Sequence, residues 1–320
     1  MRSKPSQQRR SLARPAHEQT PPKRTRVSLA VSLAAVFLLG GCISGPQGKL
    51  ARQKFDPLPI AFADSVTWDE LAIDVENVHG SVRIEADAWR TEPEITANIR
   101  WESETYPETW GAGARPLQFI ARAAQEFGLP PVLTVTTRRT RPDVAFTEAD
   151  IVIRCPPVAG VRVRTGGGDV VLNGISGAVT VEIGTGGLAG ASPSAIARSA
   201  AGGDVVVRTD SSLGDPVAIQ TVDGSVTVIG PTDLGGRLDL YTAQGRALVI
   251  APNADVREAT GVGGSTWTGQ LAGNNEPFSV RSGGGDIRVY AVSRPMLYTP
   301  PVIHLPESVQ QSFPLSTQER

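Results

Sequence analysis

The sequence predicts an all-β fold: a parallel β-helix-like solenoid of roughly 20-residue coils, with one short inserted helix. Three observations carry this. Glycine supplies 34 of the 320 residues and proline 25, against usual shares of about 7% and 5%, and both residues break helices. Apolar and polar residues alternate over short runs along most of the chain, the period of a half-buried strand. One unit also recurs: an alternating strand, a small polar turn ending in glycine, and a second alternating strand.

The first segment is a targeting signal. Residues 1–41 hold eight of the 31 Lys/Arg and one of the 32 acidic residues, which leaves a net charge of −8 on the rest. Arg9, Arg10, Arg14, Lys23, Arg24 and Arg26 lead into the apolar run Val27–Leu39, the layout of an export signal. That run is shorter than the roughly 20 residues a bilayer span needs. It ends in Leu39-Gly40-Gly41-Cys42, which resembles the lipobox of bacterial lipoproteins. The resemblance implies cleavage after Gly41, acyl chains such as palmitate on the Cys42 thiol, and a membrane-anchored lipoprotein of the bacterial cell envelope, on its periplasmic or surface side. Two acyl chains anchor stably where one is marginal. An uncleaved signal anchor and an ordinary secretory signal are the alternatives. Residues 42–65 then form the lipidated N-terminus and a tether. Beyond residue 41 the only lysines are Lys49 and Lys54, so no nucleic-acid partner is expected.

The repeat fills the body. Its clearest copies are 161–172, 196–207, 218–228, 238–250 and 278–289, with an earlier one at 73–84. The glycine before the second strand falls at Gly168, Gly203, Gly224, Gly245, Gly264 and Gly285, and a weaker copy at 178–190 adds Gly187. A period near 20 residues is the size of one β-solenoid coil, whereas helical repeats need about 34 or more. After the marker, Val170/Leu172, Val205/Val207, Val226/Val228, Ala247/Val249 and Ile287/Val289 share one face. Before it, Val161/Val163, Val179/Val181, Leu238/Leu240 and Phe278/Val280 do the same. Stacked coils would bury these sets as ladders of like side chains. The corner residues are Gly168, Asp169, Gly203, Asp204, Gly224, Gly245, Gly285 and Asp286. The glycines are expected where corners need positive φ, and the aspartates as acceptors for nearby backbone amides.

Residues 66–150 depart from this pattern. EITANIRWE (94–102) and VLTVTTRR (132–139) read as strands. Between them Leu117, Ile120, Ala121, Ala124 and Phe127 recur at helical spacing before a Gly-Leu-Pro-Pro stop. That predicts a short amphipathic helix over about 114–128, inserted on the outside or capping an open end of the stack. The solenoid domain runs over 66–292. The Pro-rich tail, 293–320, is expected to be extended and ordered in part against the last coil.

The segments LAIDVENVHGSVRI, ADIVIRCPPVAGVRVRTGGGDVVL and FSVRSGGGDIRVYA resemble the bacterial "putative adhesin" domain of unknown function. The resemblance covers about 66–292 and implies a right-handed parallel β-solenoid. The family has no established catalytic residues, so none carry over, and the predicted helix departs from its plainest members.

Candidate chemistry is sparse. A glycosidase needs two carboxylates a set distance apart. In chain order the residues after the markers are Asp169, Leu188, Asp204, Ser225, Arg246, Ser265 and Asp286, so no two acids are expected to be neighbours. Asp223 beside Asp204 is an offset pair. The histidines after the signal, His79 and His304, stand far apart, whereas a zinc site needs three or four clustered ligands. His79 reads as a turn residue. Cys155 has no partner if Cys42 is lipidated, and reads as a buried strand-end thiol rather than a nucleophile. Trp267 either faces outward, where it could stack on sugar, or is buried in an irregular coil. No catalytic, cofactor or metal residues are assigned.

The preferred function is a non-enzymatic, lipid-anchored scaffold or adhesin-like module with an envelope glycan or protein as ligand. The alternatives are a carbohydrate-active lyase or glycosidase on a β-helix and a self-assembling structural solenoid. Cys42→Ser should abolish lipid attachment and leave the precursor uncleaved at Gly41. Metabolic labelling with a fatty acid checks this, and equal label in mutant and parent would contradict it.

Overall fold

The computed structural model describes residues 49–55, 60–62, 66, 68–103, 116–141, 147–184, 202–213, 215–261, 264–272 and 274–301. Cys42, the signal segment, Gly187, Leu188 and His304 lie outside them. The described residues fall within the unit Gln47–Arg320.

Twenty strands follow in chain order: β1 (Lys49–Phe55), β2 (Ala61–Phe62), β3 (Leu71–Asn77), β4 (Val82–Ala86), β5 (Glu94–Ser103), β6 (Leu117–Ala124), β7 (Val132–Arg139), β8 (Thr147–Cys155), β9 (Val158–Thr165) and β10 (Val170–Asn173). They continue as β11 (Ile175–Ile183), β12 (Val205–Arg208), β13 (Val217–Thr221), β14 (Val226–Gly230), β15 (Gly236–Thr242), β16 (Ala247–Ile250), β17 (Asp255–Gly261), β18 (Gly264–Leu271), β19 (Pro277–Ser282) and β20 (Ile287–Ala291). They form two mixed sheets. The nine-stranded sheet has the order β1-β5-β8-β4-β10-β12-β14-β20-β16, and the eleven-stranded sheet β17-β18-β15-β19-β13-β11-β9-β3-β7-β6-β2.

The parallel strands run in the same order in both sheets. Each strand of the larger sheet and the strand that follows it in the smaller one form a rung. The rungs lie in the order β7/β8, β3/β4, β9/β10, β11/β12, β13/β14, β19/β20, β15/β16. Among the described residues antiparallel pairing occurs only towards the ends. β5 covers β8 and β1 covers β5, β6 covers β7, and at the far end the β17–β18 hairpin covers β15.

Side chains of like kind align across the rungs. In the smaller sheet Ile151, Val82, Val170, Val205, Val226, Ile287 and Ala247 are in register. In the larger one Leu133, Ile73, Val161, Val179, Val217, Phe278 and Leu238 are. All are buried. The alternation read from the sequence therefore falls on the interior face, with Val249 half-buried at the edge. β-Branched residues dominate because parallel strands pack their pleated faces closely.

Four expectations are corrected. Residues 117–124 form strand β6, not a helix: Leu117, Ala121 and Ala123 are buried while Gln118, Arg122 and Ala124 are exposed, and Phe127 is wholly exposed. Leu117 and Ala121 satisfy periods of two and of nearly four alike, and pairing with β7 decides between them. The segment around Gly264 is not a coil either, because β18 turns back as an antiparallel hairpin. The rungs also do not stack in chain order: the first, β3/β4, and the last, β19/β20, each lie between two neighbours. Finally, β12 lies directly beside β10, so no rung separates Gly168 from Gly203.

After β20 the chain makes a 3₁₀ turn at Pro295–Leu297 rather than running fully extended. Tyr298 packs its ring 5.4 Å from that of Tyr290, and its carbonyl accepts from Arg208 at 3.3 Å. Among the described residues no helix is long and apolar enough to cross a membrane.

The two faces of β12 predict a sharp contrast. Val207 is fully buried and Val206 is not. Val207→Asp should unfold the sheets and Val206→Asp should be tolerated, since an unpaired buried carboxylate costs several kcal/mol, comparable to a domain's whole stability. Thermal melts of both variants check this, and a larger loss from Val206→Asp would reverse the faces.

Candidate functional site

The turns that carry each rung from the larger sheet to the smaller one line a single edge, and most of the residues singled out in the sequence sit there. Close stacking dictates the glycines. A Cβ on Gly203 would overlap the carbonyl of Gly168, one on Gly224 that of Gly203, one on Gly285 that of Gly224, and one on Gly245 that of Gly285. Gly168 has φ +95° as well. The other four do not have positive φ, so the corner conformation expected from the sequence is not their reason; the absence of a side chain is.

A second row explains how the crowded carbonyls are satisfied. Asn77, Thr165, Thr221, Ser282 and Thr242 are buried and end the larger sheet's strands in register, and the buried Thr137, short of the end of β7, donates to Asn77 Oδ1 at 2.8 Å. Thr221 Oγ1 donates to Gly203 O at 3.2 Å, Ser282 Oγ to Gly224 O at 2.8 Å, and Thr242 Oγ1 to Gly285 O at 2.8 Å. Asn77 Nδ2 donates to Ala149 O at 2.8 Å and to Gly80 O at 3.1 Å. Each donor to a carbonyl reaches the adjacent rung towards β7/β8. Ile183 takes this place in β11, beside the chain segment that separates β11 from β12.

The aspartates point the other way. Asp169 Oδ1 accepts from Asp204 N at 3.0 Å, Asp204 Oδ1 from Ser225 N at 2.8 Å, and Asp286 Oδ1 from Arg246 N at 2.9 Å. Asp169 and Asp204 are therefore neighbours, against the expectation that no two acids would be. The cause is that β12 pairs directly with β10, which leaves no place for the rung that chain order put between them. Asp223 sits against the Gly202 and Gly284 backbones of the flanking turns.

One charged group at this edge was not singled out in the sequence. Arg100 of β5 donates through one Nη2 to Glu148 Oε1 at 2.8 Å and to Asp150 Oδ2 at 2.7 Å. The other Asp150 oxygen accepts from Ser81 Oγ at 2.6 Å and Ser81 N at 3.1 Å. Glu148 and Asp150 are two apart on β8 and so share a face, and Arg100 lies directly across from Glu148. That spacing in TEADIV was the available signal, but only the pairing of β5 with β8 brings the arginine to it. Burial pushes the Glu148 carboxyl above its usual range, the Asp150 charge adds to this, and Arg100 opposes it. His79 lies in the adjoining turn. Burial holds its pKa below the ordinary 6.5, Arg139 and Arg100 lower it further, and Asp150 works against them.

The remaining candidates are structural. Cys155 is fully buried, and burial pushes its thiol up to about 12, so it stays protonated at neutral pH. Trp267 is 8% exposed, which selects the buried alternative. Among the described residues no group of three His, Cys, Asp or Glu is placed to hold a metal.

No protein-family model and no curated protein matches the chain. Among solved structures it is similar to a "putative cell adhesion protein" of Clostridium sporogenes, at 8% identity and TM-score 0.42, covering 76% of this chain and 100% of that one. A "putative adhesin" of Bacteroides fragilis follows at 9% identity and TM-score 0.23, covering 75% and 97%. One of Parabacteroides distasonis has 10% identity and TM-score 0.17, covering 75% and 97%. Likeness at this level assigns the chain no function.

The His79 environment fixes a pH dependence. Its neutral form is favoured in the fold, so the stability it contributes is present above 6.5 and is lost as pH falls through the lowered folded value. Glu148 carries the opposite sign: its contribution is present below its ordinary 4.5 and is lost as pH rises through the raised value. His79→Gln removes only the first effect. The variant should gain thermal stability relative to the parent as pH is lowered from 7 towards 5, and a Tm difference constant over that range would contradict the assignment.

Proposed function

We propose that this chain is a lipid-anchored protein of the bacterial cell envelope whose body is a β-solenoid acting as an adhesin-like module or scaffold, not as an enzyme. One observation carries the solenoid reading: the rungs follow the same order in both sheets, with interior residues in register from end to end. Each rung then buries its apolar side chains only with its neighbours' help. The resemblance of residues 66–292 to adhesin domains supplies the adhesin-like character, and Leu39-Gly40-Gly41-Cys42 the anchor. The engagement of the aspartates supports a non-catalytic role. Asp150, Asp169, Asp204 and Asp286 each have an oxygen committed to a backbone amide of the next rung, and residues that recur with the rung are explained by the rung.

A second reading rests on Glu148 and Asp150. A carboxyl with raised pKa two residues from a second carboxyl on the same face is the arrangement of a general acid and its partner. Against it, Arg100 bridges the two, and Ser81 occupies the other Asp150 oxygen. The purified lipoprotein in detergent, assayed against a polysaccharide panel, should retain glycans without cleaving them. Turnover that disappears in Glu148→Gln with Tm unchanged would replace the scaffold reading with the enzyme.

A further inference from the structure

At the glycine-turn edge the β7/β8 rung runs further than the rung beside it. There β3 ends at Asn77 and β4 begins at Val82, whereas β7 continues to Arg139 and β8 already starts at Thr147. Thr137 and Ala149 mark the level at which the neighbouring rung turns. Thr137 Oγ1 donates to Asn77 Oδ1 at 2.8 Å, and Asn77 Nδ2 donates to Ala149 O at 2.8 Å, so one asparagine bridges β7 to β8 across the interior. Arg139 and Thr147 each lie two residues beyond this bridge and continue the inward-facing rows of their strands. They face one mouth. Leu117 pairs with Arg139 and Trp101 with Thr147 at its sides, and both are buried.

Two polar atoms in this mouth have nothing to bond. Arg139 Nε and Thr147 Oγ1 are shut away from water, and among the described residues neither has a hydrogen-bond partner. Thr147 is fully buried and Arg139 half-buried. Glu148, next to Thr147, faces the opposite side of β8 and is held by Arg100. Among the described residues no carboxylate pairs with Arg139 or with Arg138 beside it. Burial, then the Arg139 charge, holds the His79 pKa below its ordinary 6.5, so the field of the guanidinium reaches that turn. Buried polar groups are bonded in nearly every fold, and those that are not call for an explanation. Arg138, Arg139 and Arg141 also fall within four residues, in a body whose net charge beyond residue 41 is −8.

We propose that this mouth binds the oxyanion of a small ligand, a carboxylate or phosphate group, on Arg139 with Thr147 behind it. One such group brings acceptors for both orphaned atoms: Arg139 Nε–H donates to one oxygen and the Thr147 hydroxyl to another. Bonds from a guanidinium to an oxyanion are charge-assisted and stronger than neutral ones, and the buried Leu117 and Trp101 side chains give them apolar surroundings, where they gain most. Arg139 keeps some contact with water, so an anion arriving at the turn edge meets it first. The site depends neither on the lipid anchor nor on the adhesin-like reading.

The test titrates the full chain, purified in detergent, with sodium glucuronate, with inorganic phosphate and, as a neutral control, with glucose, following the heat of binding and Tm. Glucuronate or phosphate should bind saturably and raise Tm, glucose should do neither, and the tighter of the two anions identifies the group. Arg139→Gln should weaken that binding roughly tenfold or more without lowering the Tm of the unliganded protein, because it removes a charge that lacks a partner. Thr147→Val keeps the shape of the side chain and should weaken binding about fivefold. Arg122→Gln, on the outer face of β6, should bind as the parent does. Failure of both anions to bind overturns the inference and leaves the two atoms to ordered water. Binding that is equal in Arg139→Gln overturns it too, as does a large fall in the unliganded Tm of that variant, which would mean that the fold already supplies a partner for the guanidinium.

Discussion

The close approach of successive glycine turns is the constraint on which the other contacts depend. Carbonyls there pack so tightly that a single Cβ would overlap the next turn, and a backbone carbonyl shut away from water needs a donor. The buried hydroxyls of Thr221, Ser282 and Thr242 provide it, reaching one rung in one direction. The aspartates outside reach one rung in the other, offering an acceptor to the next backbone amide. Neighbouring rungs are thereby joined at the same edge by one or both of these bonds, and by both between β11/β12 and β13/β14 and between β19/β20 and β15/β16. The apolar rows of the interior then fall into register as a consequence, because the turns fix where each pair of strands begins.

The same edge explains why its acids are poor candidates for chemistry. Each of these carboxylates already holds a backbone amide of the next rung, and it is positioned by the stack rather than by a ligand. The Arg100, Glu148 and Asp150 group differs because it lies where parallel rungs give way to the antiparallel cover strands β5 and β1. Paired across β5 and β8, its members satisfy one another at modest exposure.

Much of this was legible in the sequence, and the parts that were not share a cause. Period-two alternation placed Val205, Val207, Leu238 and Val280 inside because each strand carries its own face. The glycines announced the turns, although their reason proved to be contact between turns rather than conformation within one. Relations between distant segments were not legible. Leu117 and Ala121 fit a helix as well as a strand until β7 is there to pair with. Asp169 and Asp204 look separated by a coil until β12 is seen to pair directly with β10. Arg100 meets Glu148 only because β5 folds back on β8. Local pattern reports burial, and neighbour identity is set by topology.

The order of the rungs bears on how the chain is completed. The last rung, β19/β20, is wedged between β13/β14 and β15/β16, so the strands made last are central to the final arrangement. A nascent chain threaded out N-terminus first has β15 in hand before the partner that joins it to β13 exists. In the finished sheet β19 separates those two strands by two strand spacings, about 9.6 Å. A chain cut short before residue 277 would lose not a terminal layer but the joint that unites the hairpin end with the rest.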